Sequence, residues 1–394
     1  MALTGAEAAA EAMRQIEPGV VPVYPITPQT PIIEKFAKFA AGGRVKSEVI
    51  TAESEHSVMS AAIGAAAAGV RSMTATSSQG LAYMFEMLYV ASGLRLPIVM
   101  NVASRALSAP INIHCDHSDV MGVRDSGWIQ LFCETAQEVY DHTILAVKLA
   151  ENEKVYLPAM VAQDGFFTSH TLEGIETLTD EQVKDFVGKY RYPISLLREK
   201  DPITLGSLVL PDRYFEIKME QEKAMRSALE VFLQTAQQLS ELTQRKYSPV
   251  ETFQVDAETE AVIIVMGSAA GTTKAVAKRF SQKSGQKVGV IKICLFRPFP
   301  YDELGDIIKD IKNVAVLDRS FSFGSTPPLY QETVQTIHQF GRAPEQQIQS
   351  CVYGLGGRDL REEDVKNVYE NILAGNYTEE PGLLNCETKP IQGG

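Results

Sequence analysis

Apolar and polar positions along the chain alternate between two periods. Small and charged residues recur at helical spacing over residues 4–16, and Pro18-Gly19 closes that stretch. The run 20-VVPVYPI-26 predicts a short buried strand. Thr27 or Thr30 then caps a helix to about Phe39, with Pro28 or Pro31 in its first turn, where a missing N–H costs nothing. Residues 45–54 predict the next strand, and 55-EHSVMSAAIGAAAAG-69 a helix lined with Ala and Gly. Residues 72–78 and 96–104 predict two more strands, with a helix over 79–93 between them. Strands and helices alternating at this spacing predict a doubly wound α/β domain with a mainly parallel sheet.

The pattern then loosens over residues 165–250, apart from a long exposed connector helix at 214–246. A second α/β unit starts at 260-EAVIIVMGSAAGTTKAVAKRF-280, a strand, Gly turn and helix, and continues with strands at 288–296 and 313–319. The divisions expected are a first domain at 1–245 including the connector, a smaller α/β domain at 256–375, and a tail at 376–394. The tail has no packing pattern and is expected to be disordered or draped on a partner.

A doubly wound sheet binds its ligands beyond the carboxyl ends of the strands. Here those ends carry Thr27, Ser54-Glu55, Ser77-Ser78-Gln79 and Ser104-Arg105, which are read as the wall of a site. Glu55 begins an Ala/Gly helix that can pack closely on a sheet and bury its first turn. A carboxylate there is favoured by the helix dipole alone, but a partly desolvated one can also share a proton with a ligand nitrogen. Arg105 is suited to gripping a carboxylate or phosphate with its planar fork, or to a structural pair with Asp116 or Asp119; both readings stand. His114 and His117 with Asp116 and Asp119 offer metal-ligand chemistry. So short a loop rarely closes a zinc shell, so hydrogen bonding within the loop is expected and no metal is assigned. The loop 266-MGSAAGTT-273 has Gly-x-x-x-Gly, not a dinucleotide fingerprint, and reads as a plain βα turn; 353-YGLGGRD-359 reads as a tight turn.

Composition narrows the classes. Of 394 residues 45% are hydrophobic and 22% charged, which suits buried cores in a soluble globular chain. A net charge of −12 without a basic cluster argues against nucleic acid. No apolar run reaches the length of a membrane span, and the first residues do not read as a secretory signal, so a cytoplasmic protein away from membranes is expected. The cysteines, 115, 133, 294, 351 and 386, are scattered, so this chain is not expected to hold an iron–sulfur cluster by itself.

Several segments in order carry a resemblance: YPITP (24–28), AESEHS (52–57) leading into GAAAAGVR (64–71), ATSSQGL (75–81), NVASRALSAPIN (101–112) and DHSDVMGVRDSGW (116–128). With MGSAAGT (266–272), RPFP (297–300), SFG (322–324) and YGLGGRD (353–359), they make the chain resemble the alpha subunits of pyruvate:ferredoxin oxidoreductases, within the 2-oxoacid:ferredoxin oxidoreductase family. The resemblance implies a thiamine-diphosphate pyrimidine-binding-type domain followed by a transketolase-C-terminal-like domain. It implies oxidative decarboxylation of a 2-oxoacid: the thiazolium ylid attacks the carbonyl, carbon dioxide leaves, coenzyme A takes the acyl group, and electrons pass through iron–sulfur clusters to ferredoxin.

By the same resemblance, Glu55 matches the glutamate that contacts the aminopyrimidine ring, with Glu53 pointing elsewhere. Arg105 matches the arginine for the substrate carboxylate, and Thr27 the threonine whose hydroxyl helps hold the substrate. Thiamine enzymes usually carry Gly-Asp-Gly and a later Asn for magnesium and the diphosphate. Here 163-QDG-165 is the nearest approach. A beta subunit is therefore expected to supply the diphosphate and Mg2+ contacts and a [4Fe-4S] cluster, and gamma and delta subunits further clusters and coenzyme A contacts. DHSD (116–119) resembles the pyruvate-type enzymes, so pyruvate is expected, with a branched-chain 2-oxoacid or 2-oxoglutarate as the alternative. Oxalate-type relatives place an additional arginine where Gln29 and Thr30 stand here.

Overall fold

The structure is a computed structural model that describes all residues except 194, 199, 201, 341–345 and 388–394. The chain divides into two compact units, Met1–Pro249 with Cys294–Pro300, and Val250–Ile293 with Tyr301–Gly394.

The first unit begins with β1 (Ala2–Thr4) and α1 (Gly5–Ile16), whose start is fixed by a capping box between Thr4 and Glu7. It continues through β2 (Val20–Val23), α2 (Thr30–Ala41), β3 (Glu48–Thr51), α3 (Glu55–Ala67), β4 (Met73–Thr76), α4 (Ser78–Tyr83), α5 (Phe85–Gly93) and β5 (Val99–Ser104). After these come α6 (Ser118–Gly122), β6 (Ile129–Cys133), α7 (Ala136–Ala150), β7 (Ala159–Asp164), β8 (Leu172–Gly174), α8 (Asp180–Val187) and α9 (Pro211–Thr243).

The second unit holds β9 (Val250–Phe253), β10 (Ala261–Val265), α10 (Ala269–Ser284) and β11 (Val288–Ile293). The segment β12 (Leu295–Arg297) returns to the first unit. Beyond it lie α11 (Tyr301–Ile308), β13 (Asn313–Asp318), α12 (Pro328–Phe340), β14 (Gln347–Val352), α13 (Glu362–Leu373) and β15 (Gly382–Leu383).

In the first unit five strands run β12-β6-β7-β5-β4, all parallel except the β12 edge. β4, β5, β6 and β7 are buried along their whole length, as parallel strands covered on both faces must be. The parallel pair β2-β3 lies beside the β4 edge of this sheet, linked by the bridge Val20–Ser72. Pro22 of β2 has no N–H to donate, and the Thr74 hydroxyl reaches its carbonyl instead at 2.8 Å. Beneath the sheet α7, buried on nearly every face, packs on α1, with Trp128 fully buried and donating to Leu88 O at 2.9 Å. The second unit is a sheet in the order β15-β14-β13-β10-β11-β9, parallel except at β9. No helix among the described residues is long and apolar enough to cross a membrane.

Several sequence expectations need correction. Neither Thr27 nor Thr30 caps α2; Gln29 stands at the cap with no side-chain bond, because its amide is used elsewhere. The 79–93 helix breaks at Met84 into α4 and α5. The exposed connector is apolar on one face: Ala224, Ala228, Val231, Phe232, Ala236 and Leu239 are buried in the core, and only residues 211–217 at its start are exposed throughout. The strand expected at 288–296 splits at Cys294. The tail is not patternless, because Gly382–Leu383 pairs in parallel with Cys351–Val352; the part from 388 on lies outside the described residues.

Candidate active site

The strand ends of the first unit converge on α4. Arg105, the first residue after β5, is 7% exposed. Its Nε donates to Asn112 O at 2.8 Å and its Nη1 to Thr27 O at 3.0 Å. The Thr27 that the sequence analysis singled out is therefore in direct contact with Arg105, but through its backbone carbonyl; the residue itself is exposed. Among the described residues no carboxylate lies within ion-pair distance of Arg105, and its Nη2 makes no hydrogen bond. Burial pulls the guanidinium's pKa down, opposed by the nearby charge of Asp119. The pairing with Asp116 or Asp119 does not form. Asp116 is occupied by Ser118, accepting from its N–H at 3.0 Å and its hydroxyl at 2.5 Å. Asp119 takes the backbone N–H of Arg105, not its guanidinium.

Glu55 opens α3, one residue past the Ser54 cap that accepts from Ser57 N at 3.3 Å. It too is 7% exposed, and among the described residues its carboxylate makes no hydrogen bond or ion pair. It lies over Gly80 of α4: a Cβ placed on that glycine would stand 2.8 Å from Glu55 Oε1 and 2.5 Å from Thr76 Oγ1. Glu53 turns outward to the Ser57 hydroxyl, which holds its carboxyl below the usual range. Around the same strand ends, Thr76 Oγ1, Ser77 Oγ and Ser104 Oγ are buried without a hydrogen-bond partner among the described residues.

Three further residues support the site in roles that the sequence did not assign to them. Gln29 is fully buried and staples the YPITP loop to β4, donating to Ala75 O at 2.9 Å and accepting from Ile26 N at 3.3 Å. Gln29 thus faces the protein interior and not the site. Gly165 of QDG belongs to no metal motif; a Cβ there would strike Ser104 O at 2.4 Å and Pro28 Cγ at 2.8 Å, so it allows three strand ends to crowd together. Asp119, 2% exposed, is pushed up to about 7 by burial, against three backbone N–H bonds.

The four loop residues weighed as metal ligands do not converge. Cys115, His117 and Asp164 do, all buried and with ligand atoms within 4.8 Å, but His117 Nε2 and Asp164 Oδ1 already share a hydrogen bond at 2.8 Å. His114 stands apart, its ring 5.1 Å from that of Phe166. In the second unit Gly267 has φ of 66° just before α10, and Gly354, Gly356 and Gly357 have positive φ, so both glycine segments are turns. Asp318 caps the start of α12, accepting from Leu329 N at 2.8 Å and Tyr330 N at 3.1 Å.

Comparison with known proteins agrees with this architecture. Residues 11–237 match the family described as pyruvate flavodoxin/ferredoxin oxidoreductase, thiamine diphosphate-binding, and residues 259–365 match pyruvate:ferredoxin oxidoreductase core domain II. The chain is 52% identical over 376 residues to pyruvate synthase subunit PorA of Thermotoga maritima, covering 95% of each chain. It is 44% identical over 372 residues to the PorA subunit of Methanocaldococcus jannaschii, 94% of each. It is 41% identical over 371 residues to ketoisovalerate oxidoreductase subunit VorA of Pyrococcus abyssi, 94% of this chain and 92% of that one. A solved 2-oxoglutarate:ferredoxin oxidoreductase from Magnetococcus marinus superposes with a TM-score of 0.75 at 19% identity, over 95% of this chain and 65% of that longer one. A split-gene transketolase superposes at 0.56 with 12% identity, over 95% and 99%. Matched by family models over residues 11–237 and 259–365 and by relatives along nearly its whole length, this chain is a member of the pyruvate flavodoxin/ferredoxin oxidoreductase family.

Proposed function

We propose that this chain is the catalytic alpha subunit of a thiamine-diphosphate-dependent 2-oxoacid:ferredoxin oxidoreductase acting on pyruvate with coenzyme A, and that Arg105 binds the substrate carboxylate. The observation that carries the reading is the state of Arg105. A guanidinium stays charged at any working pH, and burying it against two carbonyls leaves that charge without an ion-pair partner. A small anion on Nη2 would compensate it, and a carboxylate matches a planar fork. Thr27, an exposed residue, has its carbonyl fixed by Nη1 and so stands beside the same guanidinium.

The residues fit thiamine diphosphate on its pyrimidine side. Glu55 is a buried carboxylate without a protein partner, and the neighbouring Thr76 and Ser77 hydroxyls are equally unpartnered. When bound, thiamine supplies the nucleophile and electron sink that decarboxylation of a 2-oxoacid needs. With the cofactor bound, Glu55 would hold a proton at a ring nitrogen, Gly80 would leave it the room to do so, and Arg105 would orient the substrate carboxylate. The diphosphate, Mg2+ and [4Fe-4S] clusters are assigned to beta, gamma and delta partners, because the chain lacks Gly-Asp-Gly and its cysteines stand apart in sequence. A cytoplasmic setting is supported by the lack of any disulfide among the five cysteines.

The test uses the reconstituted complex with pyruvate, 2-oxoisovalerate and 2-oxoglutarate. Pyruvate is expected to give the highest kcat/KM, and Arg105→Lys to raise its KM at least ~10-fold, since a point charge cannot replace the fork. A higher kcat/KM on 2-oxoisovalerate or 2-oxoglutarate overturns the substrate, and unchanged pyruvate kinetics in R105K overturn the role of Arg105.

A further inference from the structure

We propose that Asp119 is a positioning residue for substrate binding: its carboxylate sets the backbone at Ser78 and Arg105 while leaving the Arg105 guanidinium open to an anion. This rests on the reading that Arg105 takes the substrate carboxylate.

Asp119 sits in the short helix α6, and its two oxygens are committed to amides. Oδ2 accepts from Ser78 N at 2.9 Å and Arg105 N at 3.0 Å, and Oδ1 from Val120 N at 2.8 Å. Ser78 and Arg105 follow the neighbouring parallel strands β4 and β5, so their amides fall past the ends of the ladder. Buried there, each would be an unsatisfied donor, and a single carboxylate oxygen answers both.

The turn at Ser78 needs such a hold. Its φ is 46°, in the left-handed region that a serine adopts at a cost. Beyond the Asp119 bond, Ser78 Oγ reaches Ala106 O at 2.6 Å, and Gln79 Nε2 reaches Ser108 Oγ at 2.7 Å. The β4–α4 turn and the loop after β5 are thereby stapled into one piece. Because Gly80 and Glu55 pack on that same turn, the staple ties both halves of the candidate site to one carboxylate.

The bonds carry the role, and the charge adds to it when the carboxyl, pushed up to about 7 by burial, is ionised. Asp119 is close enough to stabilise the buried guanidinium electrostatically, yet outside ion-pair distance. A direct Arg–Asp pair would have filled the fork that the substrate is to use. A neutral side chain would have left the guanidinium buried without any counter-charge.

The experiment compares Asp119→Ala and Asp119→Asn, alone and with R105K, in the reconstituted complex. D119A is expected to raise the KM for pyruvate at least ~10-fold with little change in the KM for coenzyme A or ferredoxin. D119N, which keeps one acceptor oxygen, is expected to recover part of that loss. The D119A/R105K double variant is expected to be within about twofold of R105K alone, since both act on one interaction. Hydrogen–deuterium exchange over 76–80 and 104–107 is expected to accelerate in D119A and less in D119N. Unchanged exchange in both variants overturns the positioning role, and so do additive kinetics in the double variant. Normal pyruvate kinetics in R105K refute the role of Arg105 itself, while accelerated exchange in D119A still supports the staple.

Discussion

Gly80→Ala is a one-carbon perturbation whose effect the structure sizes directly. The new Cβ would stand 2.5 Å from Thr76 Oγ1, 2.8 Å from Glu55 Oε1 and 2.9 Å from Glu55 Cγ. Ordinary contact begins at 3.4 Å, so Glu55 Oε1 must retreat by 3.4 − 2.8 = 0.6 Å and Cγ by 3.4 − 2.9 = 0.5 Å. The contact with Thr76 Oγ1 is the tightest, and α4 or the threonine hydroxyl must move to relieve it, while the Glu55 head, at the end of a flexible side chain, gives way on its own side. The carboxylate is therefore displaced from its seat. Misplacing a catalytic group by about 1 Å costs on the order of 10²-fold in rate, so a shift near half that should cost about 10-fold. Stability should change far less, because Ala gains about 1 kcal/mol of helix propensity against an overpacking cost of about 1–3 kcal/mol. The assay is pyruvate-dependent viologen reduction by the reconstituted complex, with thermal unfolding of the same preparation. A kcat within twofold of wild type, with the fold intact, would refute the reasoning that Gly80 exists to seat Glu55.

Glu55→Gln should lower decarboxylation by ~10²–10⁴-fold while leaving the unfolding temperature equal or higher, because it removes a buried charge without a partner; a rate within threefold of wild type sinks the proton-holding role. Arg14→Ala should destabilise the first unit by about 3 kcal/mol, since it strands buried Glu11, bound at 2.7 Å, and releases Asp180, bound at 2.6 Å. The Arg14 hydrogen bonds hold the Asp180 carboxyl well below its usual range. A depressed carboxylate contributes stability above its unfolded pKa of about 4 and loses it as pH falls, so the gap between wild type and R14A in chemical denaturation should narrow from pH 5 to pH 3. A gap independent of pH would refute the pairing.

What was legible in the sequence follows from what a period can encode. β4 is a short threonine-bearing strand and β5 a mostly apolar one, both set before Ser-rich junctions, so their carboxyl ends, and the polar groups placed there, could be read directly. Glu55 and Arg105 were visible because each stands at the junction where an apolar run gives way. Asp119 and Gln29 were not, because their partners are backbone amides and carbonyls distant in the chain, 41 residues away for Ser78 and 46 for Ala75. A sequence shows side chains, and it hides the backbone groups that loops leave unsatisfied. The same blindness left Asp119 as one possible salt-bridge partner for the Arg105 side chain, when it serves backbone amides. The burial of the second half of α9 was missed for another reason: Ala224 and Ala228 are too small to register as a hydrophobic stripe, yet they let α9 sit tightly in the core.

The site divides its polar groups into two classes with opposite energetics. Asp119, Gln29 and Ser54 are satisfied by backbone and make the strand ends rigid. Glu55 and Arg105 are largely buried residues whose carboxylate and Nη2 have no partner among the described residues, which costs stability in the chain alone. The two classes depend on each other: uncompensated charges of opposite sign in one fold persist only if rigid supports prevent them from collapsing onto a protein partner. The support must also be weak as a competitor, which is why it acts through amides and carbonyls rather than through a second guanidinium or carboxylate in the fork. Stability and activity should therefore move in opposite directions at Glu55 and in the same direction at Asp119, because the first is held in readiness for a ligand and the second does the holding.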